Sequence, residues 1–303
     1  MALLAAFALL AAACGDDDDT AGGEDKGRIV VGSTDFPEQQ IVASMYAHVL
    51  EDAGYDVTTR LTLGTREVVE PALEEGEIDL YPEYVGTALT FITDGEHPLD
   101  GGQDALVEAL REEFEARGVT VLEPAPAEDK NALVVTEETA ERYDLTTTSD
   151  LADVAGELVL GGPPECPERP LCLLGFEETY GLEFAEFRPL DAGGPVTKEA
   201  LDRGDIDVAL LFSSDGGIAA RGWVVLEDDK ELQPSENLIP VIRTEVVNDE
   251  ITDLLNAVSA KLTTEELSEL NRQVDVDKED PENVARTWLE EQGLLGNGSR
   301  EEE

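Results

Sequence analysis

The sequence has few basic residues: 20 Lys and Arg stand against 70 Asp and Glu, so the formal net charge of the 303-residue chain is −50. Nucleic acid and an anionic bilayer surface both attract cationic patches, so this charge argues against either as a direct partner. The acidity permits a cationic or zwitterionic ligand. It also suits solubility at high salt, where long-range repulsion is screened, so a halophilic origin is one hypothesis and a well-solvated surface is the other.

Long hydrophobic runs are equally scarce, and the one at the start of the chain, residues 1–13, is too short to span a bilayer. It leads into the letters AAAC, of which the last is Cys14, and this resembles the lipobox of bacterial lipoproteins, where the cysteine is lipidated before cleavage. We therefore expect residues 1–14 to be a signal peptide with Cys14 as the lipidation site, and residues 15–27 to be an acidic flexible tether. An ordinary cleaved signal peptide is the alternative. Both predict export, to the outer face of the cytoplasmic membrane or to the periplasm.

Only three cysteines are present, and two of them, Cys166 and Cys172, share a proline-rich loop. In an oxidising compartment, a nearby pair of this kind predicts a disulfide. The loop that it closes is short, so its stabilisation should be modest, about 2–3 kcal/mol at most, and its main effect would be to fix the loop that carries Arg169. Two thiols with no histidine nearby do not form a zinc site, so no metal is predicted.

The fold class follows from the hydrophobic pattern, since a hydrophobic fraction of 41% is ample for a buried core. Short β-rich runs alternate with helical patterns up to about Leu226, and the chain is mainly helical afterwards, over residues 248–262, 264–273 and 281–292. Such alternation is typical of an α/β protein with parallel sheets covered by helices. A chain of this length favours two lobes over one.

An internal recurrence supports the two lobes, because residues 72–84 align with residues 200–212. Each segment reads as a helix, a glycine stop and a short apolar strand that ends in an aromatic residue, Tyr84 or Phe212. Ligands of open α/β sheets lie beyond the carboxyl ends of the strands. The recurrence therefore predicts these two rings on opposite walls of a cleft. The alternative is a generic α/β pattern with both rings in the core.

Two motifs resemble a known family. Residues 31–39, VGSTDFPEQ, and above all residues 78–88, IDLYPEYVGTA, resemble the corresponding segments of the osmoprotectant-binding proteins of ABC importers, and the likeness covers about residues 28–295. The family binds glycine betaine, choline and relatives. The resemblance implies a two-lobed type II periplasmic-binding-protein fold with parallel or mixed sheets, a two-segment hinge and a central cleft. It places the first lobe at 28–128 plus 236–303 and the second at 129–235.

The resemblance also implies partners and a kind of site. It implies a monomer without a cofactor that binds a small cationic or zwitterionic solute and docks on the transmembrane permease subunit. In this family the quaternary ammonium lies among aromatic faces, because a methylated ammonium cannot donate N–H bonds and ring faces are its best desolvated partners. A ligand carboxylate, where present, is held by cationic and hydroxyl donors.

Several positions match the binding site of the family. Tyr84 matches a cage tyrosine, Thr87 matches the hydroxyl donor, and Arg169 matches the cleft arginine that holds the ligand carboxylate. Phe212 takes the place of another cage tyrosine and keeps the ring face without the phenol. Asp129 matches an acid near the cage.

Other positions depart from the family pattern. Asn131 stands where the family has a cage tyrosine, and Glu236 lies near the position of the last cage tyrosine. Thr34 replaces a polar residue near the carboxylate, and Arg66 adds a cation to the cleft. Two missing ring faces, each worth about 0.5–2 kcal/mol, would weaken a simple trimethylammonium ligand by roughly one to two orders of magnitude. The sequence predicts a solute of the glycine betaine, choline and carnitine class, and a larger or more polar cation or zwitterion is the alternative.

Two aromatic positions and the functional class each have an alternative interpretation. Phe36 is expected to staple the first helix, although it could close the floor of the cleft. Tyr81 lies on the opposite strand face from Tyr84, so one of the two belongs to the core. An enzyme on the same scaffold is the rival class, but no G-x-S-x-G, P-loop or G-x-G-x-x-G motif is present. An extracytoplasmic sensor is the third possibility.

Overall fold

A computed structural model describes residues 26–296. The predicted signal peptide, the lipidation site Cys14 and most of the predicted tether lie outside the described residues.

The described residues form ten strands in two sheets. The strands are β1 (Arg28–Gly32), β2 (Asp56–Arg60), β3 (Leu80–Tyr84), β4 (Val119–Val121), β5 (Asn131–Val135), β6 (Val159–Gly162), β7 (Glu186–Pro189), β8 (Val208–Phe212), β9 (Val224–Val225) and β10 (Leu238–Arg243).

Eleven α-helices lie within the same described range. They are α1 (Pro37–Asp52), α2 (Arg66–Glu74), α3 (Val85–Ile92), α4 (Gly102–Glu115), α5 (Glu137–Tyr143), α6 (Leu173–Tyr180), α7 (Pro195–Asp202), α8 (Gly216–Arg221), α9 (Asp249–Lys261), α10 (Thr264–Asp275) and α11 (Pro281–Gln292). None of these helices combines the length and the apolar character that crossing a bilayer requires.

Both sheets have five strands and a mixed arrangement. The first has the order β2-β1-β3-β10-β4, with β1 parallel to β2 and β3, and β10 antiparallel to β3 and β4. The second has the order β7-β6-β8-β5-β9, with β6 parallel to β7 and β8, and β5 antiparallel to β8 and β9. The expected α/β class with mixed sheets is confirmed. The carboxyl ends of the parallel strands share one edge of each sheet, and these edges carry the site described below.

The chain passes between the sheets twice, and the two passages run side by side. An isolated antiparallel bridge joins Glu128 to Asn237, and the N–H of Asp129 donates to the carbonyl of Glu236 at 3.0 Å. The first passage also rests on the turn between α9 and α10, where the N–H of Ala127 donates to the carbonyl of Leu262 at 3.0 Å. The predicted lobe limits fall at these passages and remain a prediction.

Each of the three C-terminal helices, α9, α10 and α11, begins at a polar N-cap residue. The side chains of Asn248, Thr263 and Asp280 accept backbone N–H bonds at the starts of α9, α10 and α11. The helices extend over nearly the residues that the sequence pattern predicted. Strand β2 ends at Arg60, and two residues later Thr62 has a φ of 61°, a left-handed conformation that does not continue a strand.

The core of the first lobe surrounds α1. Ten consecutive positions of this helix, 41–50, are buried, and it packs against α9, α10 and α11 as well as its own sheet. The opposite sheet face packs against α3 and α4 and buries Tyr81 completely, so Tyr81 is the core member of the Tyr81 and Tyr84 pair. The second lobe has buried clusters of its own around β5, β6 and β8. Tyr84 and Phe36 pack against the core of the first lobe and also line the cleft.

Candidate functional site

The sequence recurrence corresponds to a structural repeat. In the first lobe, the carboxylate of Asp79 accepts a hydrogen bond at 2.8 Å from the N–H of Val30 on the neighbouring strand. In the second lobe, the carboxylate of Asp207 accepts the equivalent bond at 2.9 Å from Val159. Each aspartate ties the start of an inner strand, β3 or β8, to its parallel neighbour. The repeat therefore fixes where the two strands end.

Tyr84 and Phe212 are the last residues of β3 and β8, and both line one cavity of about 450 Å³ between the lobes. This volume lies within the range of small-molecule sites, about 300–1,000 Å³. The structure brings all nine predicted ligand-binding positions to this cavity: Thr34, Arg66, Tyr84, Thr87, Asp129, Asn131, Arg169, Phe212 and Glu236. Their contact with a ligand remains a prediction.

Phe36 joins the two predicted rings. Its ring lies 5.0 Å from the ring of Phe212 and 6.3 Å from that of Tyr84, measured between centroids, with interplanar angles of 27° and 19°. Phe36 also lines the cavity, so the expected structural role does not describe this position fully. The three rings form a row that crosses from one lobe to the other. Phe36 follows the end of β1, and ligands of such sheets bind at the carboxyl ends of the strands, so this position was the sequence feature that indicated a place in the cleft.

A buried carboxyl orients the ring of Tyr84. The Tyr84 hydroxyl donates to Glu38 Oε1 at 2.6 Å, and Glu38 Oε2 accepts hydrogen bonds from Ser214 Oγ and Asn271 Nδ2. Burial raises the pKa of Glu38, although the bonds from Ser214, Tyr84 and Asn271 oppose the shift. Glu38 lies on α1 and Ser214 follows β8, so this network also connects the lobes behind the rings.

Asp129 lies in the passage between the lobes and is also buried. Its Oδ1 accepts the N–H of Ser214 at 2.9 Å and the hydroxyl of Ser213 at 3.4 Å. Burial, followed by the charge of Glu38, raises the pKa of Asp129 well above its ordinary value. The two carboxyls therefore approach each other through Ser214, beside the row of rings.

Arg66 is held by a carboxylate of the cavity wall. Its guanidinium makes two hydrogen bonds to Glu83, one from Nε to Oε1 and one from Nη2 to Oε2 at 2.8 Å, and Nη2 also reaches Thr87 Oγ1 at 3.2 Å. The side chains of Arg66 and Glu83 are 11% and 2% exposed. This is a desolvated, bidentate pair, the strong form of the arginine–carboxylate interaction.

Glu236 caps the first turn of α3. Its Oε2 accepts the N–H and the hydroxyl of Thr87, at 3.1 and 3.2 Å, while Oε1 has no hydrogen-bond partner among the described residues. Burial raises the pKa of Glu236 to about 8, and the bonds from Thr87 and the charge of Arg66 oppose the shift. The carboxyl therefore lies in the cavity wall with no basic side chain of residues 26–296 within ion-pair distance.

The loop between β6 and α6 closes the cavity from the second lobe. Cys166 and Cys172 form the predicted disulfide, with their Cα atoms 5.2 Å apart. Arg169, between them, donates from Nη2 to both carboxylate oxygens of Glu67 at 2.9 Å, and the same atom lies 3.4 Å from Glu165. Glu67 lies on α2 in the first lobe, so this ion pair spans the cleft.

Asn131 also supports this loop. Its side-chain amide donates to the carbonyl of Leu171 at 2.9 Å, and the amide of Gln233 donates to the same carbonyl at 3.1 Å. The side chain of Asn131 therefore holds the loop at Leu171.

Comparison with known proteins agrees with this geometry. Residues 27–291 match the family model for the substrate binding domain of the ABC-type glycine betaine transport system. The chain belongs to this family. The glycine-betaine-binding protein of Pseudomonas aeruginosa is 32% identical over 281 residues, covering 88% of this chain and 89% of that protein. The carnitine transport binding protein OpuCC of Listeria monocytogenes is 30% identical over 275 residues, covering 89% of this chain and 88% of that protein.

A solved structure of the family extends the comparison to the fold. The structure of a glycine betaine/carnitine/choline ABC transporter superimposes with a TM-score of 0.70 and 28% identity, covering 88% of this chain and 100% of that chain. The predicted type II periplasmic-binding-protein fold is confirmed. The chain is accordingly a solute-binding component of an ABC transporter, and such components of importers work outside the cytoplasm.

Proposed function

We propose that the protein captures a quaternary-ammonium solute of the glycine betaine, choline and carnitine class in the cavity between its lobes and delivers it unchanged to an ABC permease. The observation that carries the proposal is the row of rings formed by Tyr84, Phe36 and Phe212, which spans both lobes beside buried carboxyls. The names of the relatives, which include glycine betaine and carnitine binding proteins, support the same class.

The rings suit a methylated ammonium for a physical reason. Such an ammonium has no N–H to donate, so water solvates it weakly and aromatic faces compensate for its desolvation. Rings at about 0.5–2 kcal/mol each give up to a few kcal/mol of attraction. The neighbouring carboxyls of Asp129 and Glu236 add charge complementarity in their ionised forms, which a bound cation favours. The hydroxyl of Tyr84 is engaged by Glu38, which leaves the ring face as the part offered to a ligand.

Closure around the solute would use contacts already made between the lobes. The pair of Arg169 with Glu67 spans the cleft at the disulfide loop, and the pair of Ser214 with Glu38 spans it behind the rings. A solute that contacts both lobes adds to these bonds and favours the closed form, because a ligand shifts the equilibrium by its differential affinity for the two states.

We also propose that the mature protein is tethered to the membrane through a lipid on Cys14. The lipobox-like end of the first apolar run supports this, together with the Gly-rich acidic segment that follows. Labelling with a radioactive fatty acid in the native host tests the anchor, with Cys14→Ala as the control. Label on the unchanged chain and none on the variant is the expected result, and label on neither would contradict the anchor.

Isothermal titration calorimetry tests the proposed function directly. We expect saturable binding of at least one of glycine betaine, choline and carnitine, and weaker binding by Phe212→Leu, which keeps the apolar volume and loses the ring face. Phe212→Tyr, which keeps the face, is the matched control and should retain the affinity. A protein that binds none of the three solutes would overturn the proposal, and a panel of larger cations and zwitterions then tests the alternative class.

A further inference from the structure

Both arginines that line the cavity already hold protein carboxylates. Arg66 makes its bidentate pair with Glu83, and Arg169 donates to both oxygens of Glu67. Each of these glutamates stands where a ligand carboxylate would otherwise lie against its arginine. The cavity therefore offers no unoccupied guanidinium to the anionic end of a zwitterion within the part of the chain that the structure describes.

Whereas the two arginines have acidic partners, three buried acids near the rings have no basic partner among the described residues. Glu38, Asp129 and Glu236 are 3%, 6% and 1% exposed, and none has a basic side chain within ion-pair distance among residues 26–296. Arg66 lies near Glu236, but its ion pair is with Glu83. Burial raises the pKa values of all three, so in the unliganded protein they avoid the cost of a buried charge by holding protons. A bound cation is the counter-charge that would let them ionise.

Acidic residues also outnumber basic ones in the lining of the cavity as a whole. Of the described residues, eight acidic and two basic ones line it. The acidic residues are Asp35, Glu67, Glu83, Asp94, Asp129, Glu165, Glu168 and Glu236. In a cleft with low-dielectric walls such charges focus the field, so the cavity attracts a cation and repels a carboxylate.

We propose that the solute carries a net positive charge, as a quaternary-ammonium alcohol, amide or ester does, and that Glu67 and Glu83 select against zwitterionic carboxylates by occupying the two cleft arginines. This inference rests on the proposed function and specifies the charge class of its ligand. It revises the expectation that Arg169 holds a ligand carboxylate.

The two pairs contribute to this selection to different extents. The Arg66 and Glu83 pair is desolvated and bidentate, so a ligand carboxylate cannot recruit Arg66 without leaving the buried Glu83 with no counter-charge. The side chains of Arg169 and Glu67 are 30% and 43% exposed, so their pair is weaker and can be exchanged. Burial would raise the pKa of Glu67, but hydrogen bonds from Thr65 and Arg169 lower it, so Glu67 is ionised and competes with a ligand carboxylate at neutral pH.

The test compares two ligands that differ in charge and hardly in shape, glycine betaine and its carboxamide, by calorimetry on the unchanged protein. We expect the carboxamide to bind at least about tenfold more tightly, which corresponds to roughly 1.4 kcal/mol. Glycine betaine binding as tightly as the carboxamide, or more tightly, would overturn the inference and leave the proposed function intact. Failure of both ligands, and of choline and carnitine, would overturn the inference and the proposed function together.

Two variants test whether Glu67 causes the preference for the carboxamide over glycine betaine. Glu67→Gln removes the carboxylate that accepts two hydrogen bonds from Arg169 and leaves only Glu165, at 3.4 Å, as its ion-pair partner among the described residues. The variant should therefore narrow the preference for the carboxamide several-fold. Glu168→Gln is the matched control, because Glu168 lines the same cavity and lies on the same loop as Arg169 but makes no ion pair among the described residues. An equal change in both variants would mean that overall charge acts and that Glu67 has no specific role, which would overturn its assignment. Both positions are exposed, so circular dichroism of each variant should match that of the unchanged protein.

Discussion

The ring of Phe36 stacks on the ring of Phe212 with 5.0 Å between their centroids, although the two residues belong to different lobes. Phe36 follows the first strand of the first sheet, and Phe212 ends an inner strand of the second. Their contact therefore depends on the distance between the lobes. The wall of the cleft is a row of three rings, with Phe36 in contact with both Tyr84 and Phe212.

Phe36 should contribute to ligand affinity as much as the two rings that the family resemblance indicated. We expect Phe36→Leu to weaken binding of a quaternary-ammonium solute by roughly 2- to 30-fold, since one ring face is worth about 0.5–2 kcal/mol. Calorimetry with the best ligand of the panel measures the change. Phe36→Tyr keeps the ring and is the control. If Phe36→Leu binds like the unchanged protein, the ring has only a packing role.

Glu236 should make the stability of the unliganded protein depend on pH. Burial raises the pKa of this carboxyl from 4.5 to about 8. Between these values the folded protein keeps a proton that the unfolded chain releases, so the free energy of unfolding falls as the pH rises through this window. Burial also raises the pKa values of Glu38 and Asp129, which act in the same direction.

Glu236→Gln isolates the contribution of this residue. The amide does not titrate, so the decrease in Tm between pH 5 and pH 8 should be smaller in the variant than in the unchanged protein. Thermal denaturation followed by circular dichroism measures both, with Glu168→Gln as a control for the loss of one acidic group. An unchanged decrease in Glu236→Gln would mean that the pKa of Glu236 is not raised.

The disulfide should stabilise the protein modestly and shape the binding loop. For so short a loop, the double variant Cys166→Ser, Cys172→Ser is expected to lose about 2 kcal/mol of stability. Urea unfolding checks this through a lower midpoint at an unchanged m value. The variant should also bind ligand more weakly, because the loop positions Arg169 against Glu67 and presents the carbonyl of Leu171 to Asn131. Full affinity in the variant would mean that these contacts alone hold the loop.

Local patterns predicted much of the fold and part of the site. Helix α1 and the strand that ends in Tyr84 follow from apolar spacing and from the stops that bound them, and the repeat with the segment ending in Phe212 placed both rings at the carboxyl edges of the sheets. These features depend on residues close together in the chain, which is why a single sequence contains them.

The partners of the cleft arginines could not be predicted in this way. The chain has 70 acidic residues, and nothing local identifies Glu83 as the partner of Arg66 or Glu67 as the partner of Arg169. Such pairs form when folding brings distant segments together. The role of Phe36 was ambiguous for a related reason, since a residue at the start of a helix can staple that helix and line a cleft at once.

A structure of the protein with a bound quaternary-ammonium cation, glycine betaine carboxamide, tests the central claim most directly. We expect the methylated nitrogen to lie within about 6 Å of the ring centroid of at least one of Phe36, Tyr84 and Phe212, inside the cavity between the lobes. A ligand bound elsewhere, or bound in the cavity with its ammonium away from all three rings, would contradict it.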